Sequence, residues 1–273
     1  MLDTANPVRQ GEELDHQAVT QWLQAQGIDL QGTPEVTQFS GGASNWTYRL
    51  QYANRDLILR RPPKGTKAKS AHDMVREYNV QNALKSQYPL VPTMVALCTD
   101  EAVIGCDFYV MKHVEGIIPR ANLPRNLNFS EAQVRELCIN VIDKLIELHQ
   151  VPYQGTALEQ LGKGDGYCRR QVEGWDARYE KAKTLNAPSF KLVRKWLKDN
   201  IPADSKTCII HNDWRLCLIA LFQDILLNLK GRKDSQPYFR SHQLLGPIGH
   251  RGHVSCPLLD LLFLRCNLIT TAL

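Results

Sequence analysis

The sequence lacks the features that mark secreted and membrane-spanning proteins. Its eight cysteines include no CxxC pair, and the N-terminal stretch MLDTANPVRQGEELD contains no apolar core of a signal peptide. The most apolar segment, Pro257 to Leu264, is interrupted by Asp260 and falls short of the roughly 20 residues that a membrane span needs. We therefore expect a cytoplasmic protein in a reducing compartment, with no membrane partner.

The chain also has no long run of like charge. Its 33 Lys and Arg are mixed with 28 Asp and Glu, which leaves a net charge of +5. The exception is a basic cluster between Arg60 and Lys69, which suits a polyphosphate, a nucleic acid or simply solvent. Because no aromatic side chains are interleaved with this cluster, nucleic-acid binding ranks last among the alternatives, and no nucleic-acid partner is expected.

The first part of the chain predicts a small antiparallel sheet with helices. Alternating apolar residues from Trp46 to Tyr52, followed by the run Asp56 to Arg60, predict a hairpin that turns at Asn54-Arg55. The other predicted elements are a helix Asp15–Gln26 capped by Asp15, a helix Ser70–Ser86, and strands Met94–Cys98 and Phe108–Val114. This order of elements indicates an α+β module rather than a βαβ repeat.

Beyond Gly116 the pattern becomes helical. Ser130 and Gln133 have the spacing of a capping box, and an apolar stripe continues from there to His149. Two further helices are predicted near Arg170–Thr184 and Ser189–Asp199. We therefore expect an N-terminal lobe of residues 1–111 and a helical C-terminal lobe of residues 112–273, with a cleft between them where ligands would sit.

The segment CIIHNDWRL begins like the catalytic loop of a phosphotransferase. A short β-branched run, Cys208–Ile210, would bring His211 and Asp213 to a strand end, where an aspartate can accept the proton of an attacking hydroxyl. In that chemistry a magnesium-binding asparagine is expected five residues later. The chain has Leu218 at that position.

Five segments in order give the chain a family resemblance. They are FSGGASNWTYRL, LILRRPP, AKSAHDMVREYNV, VIGCDFYVMKHVEG and IIHNDWRL, between Phe39 and Leu216. They resemble the aminoglycoside phosphotransferase and choline kinase branch of the protein-kinase-like superfamily, and more narrowly the phosphotransferase domain associated with acyl-CoA dehydrogenases. The resemblance implies an α+β, protein-kinase-like two-lobed fold with a small antiparallel-sheet N-lobe and a mostly helical, truncated C-lobe. It also implies ATP and Mg²⁺ as cofactors.

The resemblance also implies roles for individual residues. Arg60 would take the place of the strand lysine that grips the α and β phosphates, and Glu77 would pair with it, although an ordinary surface ion pair is the alternative. Asp213 would be the catalytic base, and His211 would brace its loop. A hinge from Met111 to Val114, including His113, would offer backbone hydrogen bonds to adenine. The loop over the phosphates would comprise Ser40, Gly41, Gly42, Ser44 and Asn45.

The pattern breaks after Leu216. The segment Cys217–Ala220 has no oxygen ligand for magnesium, and no acid lies near Ile248, where a second metal ligand would fall. Because Ser255–Leu261 resembles the family again, our hypothesis is that residues 217–254 form an aberrant segment, translated out of frame or otherwise replaced. Loss of both ligands predicts weak catalysis.

Three functions follow as alternatives. The first is an ATP-dependent phosphotransferase that acts on a small-molecule hydroxyl, with a hydroxyacyl-CoA as one candidate substrate. The second is a catalytically inactive kinase-like module that still binds a nucleotide, or a frameshifted fragment. The third is a metal site formed by His250, His253 and Cys256, with His242 nearby. The phosphoryl acceptor and the oligomeric state are left open.

Overall fold

The computed structural model describes residues 5–39, 45–65, 73–116, 123, 127–204, 206–211 and 214. The described residues form two compact units, one that extends to Val141 and one that runs from Ile142 to Trp214. The division falls inside a helix, whereas the sequence predicts lobes that meet at residues 111 and 112. In chain order the elements are α1 (His16–Ala25), β1 (Glu35–Gln38), β2 (Trp46–Gln51), β3 (Asp56–Arg61), α2 (Met74–Leu84), β4 (Met94–Cys98), α3 (Glu101–Ile104), β5 (Phe108–Lys112), α4 (Glu131–Gln150), α5 (Tyr167–Ala182) and α6 (Lys191–Asp199).

The first unit contains a five-stranded antiparallel sheet in the order β1-β2-β3-β5-β4. The predicted hairpin is confirmed as β2 and β3, and the Tyr52 N–H donates to the Arg55 carbonyl at 2.8 Å across its turn. Strand β1 and helix α3 were not predicted. Each has only four residues, too few to show a period against the surrounding loop sequence.

The two faces of the sheet have different neighbours. Helix α1 begins at the predicted cap, where Asp15 Oδ1 accepts the Ala18 N–H at 3.0 Å, and it buries Val19 and Leu23. These two residues share one core cluster with Tyr48, Leu50, Leu57, Leu59, Phe108 and Val110. Helix α2 lies against β4 and β5 instead. Because side chains alternate along a strand, Arg60 and Tyr109 point away from the α1 core.

The capping box of α4 is also confirmed. The Ser130 N–H donates to Gln133 Oε1 at 2.9 Å, and the Gln133 N–H donates to Ser130 Oγ at 3.3 Å. The predicted apolar stripe buries Leu137, Val141, Leu145 and Leu148. The spacing of Ser130 and Gln133 in the sequence therefore predicts the start of α4 correctly.

The second unit differs more from expectation. Its helices α5 and α6 are present, but Trp175 and Trp196 are 64% and 62% exposed, although the sequence places them on apolar stripes. Ion pairs connect the two helices instead, because Arg194 of α6 pairs with Asp176 and Glu180 of α5. Within the described residues the apolar side of α6 is therefore left uncovered.

The stretch Cys208–Ile210 is not in a strand. A strand is defined by backbone pairing with a neighbour, and no described residue pairs with this stretch. Ile209 is nevertheless buried. No helix in the described part of the chain combines the length and the apolar character that a membrane crossing requires.

Candidate functional site

Arg60 and Glu77 lie side by side on the α2 side of the sheet. Arg60 is the penultimate residue of β3, and its Nη1 is 3.3 Å from Glu77 Oε2 in the first unit. Their side chains are 29% and 33% exposed, so the pair is accessible to a ligand yet partly shielded from water. The structure thus brings together the two residues that the resemblance pairs.

Glu77 is held in place by the start of α2. Asp73 caps this helix, because its Oδ1 accepts the Arg76 N–H at 2.9 Å. Glu77 lies in the first turn, where the positive end of the helix dipole favours a carboxylate. The helix therefore fixes the acid beside Arg60.

Tyr109 joins the pair from the adjacent strand and was missed in the sequence. It lies opposite Arg60 in the β3–β5 register. Its hydroxyl accepts from Arg60 Nη1 at 3.0 Å, accepts from Gln81 Nε2 at 3.4 Å and donates to Glu77 Oε2 at 3.0 Å. Burial raises the pKa of Tyr109 to about 12, so the hydroxyl keeps its proton and can donate at neutral pH.

Asn45 contacts the other oxygen of Glu77. Its Nδ2 donates to Glu77 Oε1 at 2.9 Å, and its side chain is buried. Asn45 is the last residue of the predicted phosphate loop, so the end of that loop is tied to the ion pair. Ser40, Gly41, Gly42 and Ser44 lie outside the described residues.

Arg60 has more N–H donors than its contacts with Glu77 and Tyr109 use. Its Nε is buried and has no acceptor among the described residues. The exposed part of the guanidinium group carries further N–H donors and a full positive charge, which together bind anionic oxygens. The arrangement therefore suits a phosphate group.

The backbone of the predicted hinge has contacts within the first unit. Met111 lies inside the sheet, opposite Ile58 on one side and Met94 on the other. The His113 N–H donates to the Asp56 carbonyl at 3.0 Å. This N–H is therefore already used within the protein, and the predicted contact of His113 with adenine stays a prediction. The next residue, Val114, has a backbone N–H that no acceptor in the described residues contacts.

His211 and Trp214 are the described residues of the predicted catalytic loop. His211 is exposed, and its ring lies edge-on to the Trp214 ring with 5.3 Å between centroids. Asp213 lies outside the described residues. The roles of Asp213 and His211 therefore stay predictions.

Within the described residues no set of ligands is found for the predicted Mg²⁺. They contain no group of three or more His, Cys, Asp or Glu side chains that could hold a metal ion. The positions considered in the sequence, Leu218, Ile248, His242, His250, His253 and Cys256, lie outside them.

We expect Tyr109→Phe to lower the free energy of unfolding by about 1–2 kcal/mol. The change removes an acceptor from Arg60 and Gln81 and a donor from Glu77 in a buried network. Urea denaturation should show a lower midpoint with an unchanged slope.

Tyr52→Phe is the matched control. The Tyr52 hydroxyl has a single described partner, Thr20 Oγ1 at 2.8 Å. Its removal should cost less than the removal of the Tyr109 hydroxyl. Equal losses in the two variants would show that the network around Arg60 adds nothing beyond one hydrogen bond.

The chain is similar to known proteins in both sequence and structure. The model of the phosphotransferase enzyme family, APH, matches residues 35–216. Acyl-CoA dehydrogenase family member 10 of Mus musculus is 34% identical over 216 residues, which are 79% of this chain and 20% of that protein. Family member 11 of Gallus gallus is 39% identical over 187 residues, 68% of this chain and 24% of that protein. The chain therefore spans about a fifth to a quarter of the length of these curated relatives.

A solved structure shares the fold. It is the crystal structure of a protein from Ralstonia eutropha assigned as an aminoglycoside phosphotransferase. The sequence identity is 32%, the TM-score is 0.61, and the match covers 75% of this chain and 59% of that chain. This likeness confirms the α+β, protein-kinase-like fold.

Proposed function

The chain belongs to the phosphotransferase enzyme family, and from this premise we propose that it is an ATP-dependent phosphotransferase that acts on a small-molecule hydroxyl. One observation carries the proposal, namely the partly exposed Arg60–Glu77 pair with its buried Tyr109 bridge. This arrangement supports binding of the nucleotide phosphates by the first unit.

Arg60 would bind the α and β phosphates. Glu77 and Tyr109 hold one end of its guanidinium group, so the exposed donors of that group have a fixed direction. A held guanidinium loses less entropy on binding and favours a phosphate oxygen over a water molecule. Asn45, which donates to Glu77, would connect the Arg60–Glu77 pair to the loop that would cover the phosphates.

The base would bind at the hinge. Val114 replaces His113 as the proposed donor, because its N–H has no acceptor among the described residues. A ring nitrogen of adenine is an acceptor of the required kind. Met111 would then act through its side chain on the sheet face rather than through its backbone.

Transfer would use Asp213 as the base. Its carboxylate accepts the proton of the substrate hydroxyl, the hydroxyl oxygen forms a bond to the γ-phosphorus, and the bond to the β–γ bridging oxygen breaks, so that ADP leaves. His211 would orient the loop. Mg²⁺, when bound, would neutralise charge on the transferring group.

The substrate would be a hydroxylated metabolite. The names of the relatives contain acyl-CoA dehydrogenase, which makes a hydroxyacyl-CoA one candidate. The matched segments are 20% and 24% of those proteins, so this candidate rests on their names.

A catalytically inactive nucleotide-binding module is the second candidate. Leu218 stands where the family's metal-binding asparagine is expected. Loss of about 4 kcal/mol of transition-state stabilisation would slow transfer roughly a thousandfold. Sequencing the encoding DNA tests the frameshift hypothesis, and family-like residues in no alternative frame would refute it.

We expect the chain to bind ATP, and magnesium-dependent ADP release decides between the two candidates. Titration calorimetry with and without Mg²⁺ measures binding, and a coupled assay measures turnover. If the chain is active, Asp213→Asn should keep ATP binding and lower turnover by about 100-fold or more, because it removes the general base. Binding without turnover would support the inactive module, and failure to bind ATP would overturn both candidates.

A further inference from the structure

A chain of three polar side chains lies at the hinge end of the sheet. Arg49 donates to both carboxylate oxygens of Asp56, at 2.9 and 2.7 Å. Asp56 Oδ2 is in turn 2.9 Å from Nδ1 of His113. We call these three residues the hinge anchor. None of them has a proposed role in binding the nucleotide phosphates.

Asp56 holds His113 at two points. Besides the side-chain contact, the Asp56 carbonyl accepts the His113 N–H at 3.0 Å. Burial opposes the charge on Asp56, but the hydrogen bonds from Arg49 and His113 outweigh it and lower the pKa of this carboxyl. The residue before Val114 is therefore fixed in both its backbone and its ring.

The anchor also reaches the stem of the phosphate loop. The ring of Phe39 lies 6.2 Å from the ring of His113, and the Phe39 N–H donates to the Thr47 carbonyl at 3.0 Å. Phe39 directly precedes the glycine-containing loop. His113 thus contacts Phe39, at the start of the predicted phosphate loop, and directly precedes Val114, the proposed donor to the base.

The anchor is on the same side of the sheet as Arg60. Asp56 and Arg60 are four residues apart on β3, so they alternate onto one face about 13 Å apart along the strand. This separation is of the same order as the distance from the base to the phosphates in an extended nucleotide. A ligand held by Arg60 could therefore place its base at Val114.

We propose that Asp56 is a positioning residue for a purine nucleotide, because it fixes His113 and thereby the direction of the Val114 N–H. This inference rests on the proposed function and extends it to a residue that does not touch the phosphates. It predicts that the anchor contributes to binding of the base and not to binding of the phosphates.

Two probes separate these contributions. ATP would bind at both the hinge and Arg60, whereas inorganic tripolyphosphate would bind only at Arg60. We expect Asp56→Ala and His113→Leu to weaken ATP binding about tenfold, as expected for loss of one well-placed hydrogen bond, and to leave tripolyphosphate binding within about twofold. Titration calorimetry measures both affinities.

A conservative variant and a control complete the test. His113→Asn should restore most of the ATP affinity, because its amide nitrogen can take the place of Nδ1 opposite Asp56. Arg9→Gln removes an ion pair with Glu12 elsewhere in the same unit and should change neither affinity. If Asp56→Ala does not fold, the two His113 variants still decide the question.

Each result has a distinct meaning. Equal weakening of ATP and tripolyphosphate would show a general loosening of the sheet and overturn the positioning role. Unchanged ATP binding in both His113→Leu and Asp56→Ala would overturn it while leaving the proposed function standing. A wild-type chain that binds tripolyphosphate but not ATP would overturn the proposed function and this inference with it.

Discussion

Arg60→Met is expected to weaken ATP binding roughly a hundredfold, the largest functional effect of any single change in the first unit. A hydrogen bond to a charged group contributes about 1.5–3 kcal/mol, and the upper part of that range corresponds to this factor. Methionine keeps much of the length of the side chain and removes its charge and all of its donors. Titration calorimetry of the purified chain measures the loss.

Two further variants make this result specific. Arg76→Met removes an exposed arginine one residue away from Glu77 and should leave ATP affinity unchanged within about twofold. Arg60→Lys keeps the charge but loses the forked donor geometry, so we expect an intermediate loss. If Arg60→Met and Arg76→Met behave alike, the Arg60–Glu77 pair is the ordinary surface ion pair that the sequence left open.

Phe108→Ala is expected to lower the free energy of unfolding of the first unit by about 3–5 kcal/mol. Phe108 is fully buried in β5, and its ring lies edge-on to Trp22 of α1 with 5.3 Å between centroids. The change removes apolar surface from the core and leaves a cavity between the sheet and α1. Chemical denaturation followed by circular dichroism should show a lower midpoint for this unit.

The matched control uses the same residue type at an open position. Phe190 is 52% exposed and precedes α6, so Phe190→Ala should cost less than about 1 kcal/mol. A small effect of Phe108→Ala would mean that α1 does not depend on this contact. In that case the leading helix would be a separate appendage rather than part of the core of the first unit.

Much of the local structure could be predicted because its causes are local. Asp15 caps α1 and Ser130 caps α4 through side chains that reach backbone groups three residues away. The alternation from Trp46 to Tyr52 likewise shows which side of β2 is buried. Spacing of a few residues contains all the information that these features require.

Pairing between distant segments could not be predicted in the same way. Strand β5 pairs with β3 although α2, β4 and α3 lie between them in the chain. That register decides that Tyr109 bridges Arg60 and Glu77, and that the His113 N–H is used by Asp56. A one-residue change of register would have turned Tyr109 to the other face.

The sequence by itself therefore determined the types of the longer elements in the first unit, the helix caps and the family, and through the family the pairing of Arg60 with Glu77. Only the tertiary structure decided which hydroxyl completes that pair and which hinge N–H has no acceptor among the described residues. It also decided that these residues leave the apolar side of α6 uncovered. The physical reason is that caps and hairpin turns act over a few covalent bonds. Strand register and helix contacts depend instead on how separate segments share one core.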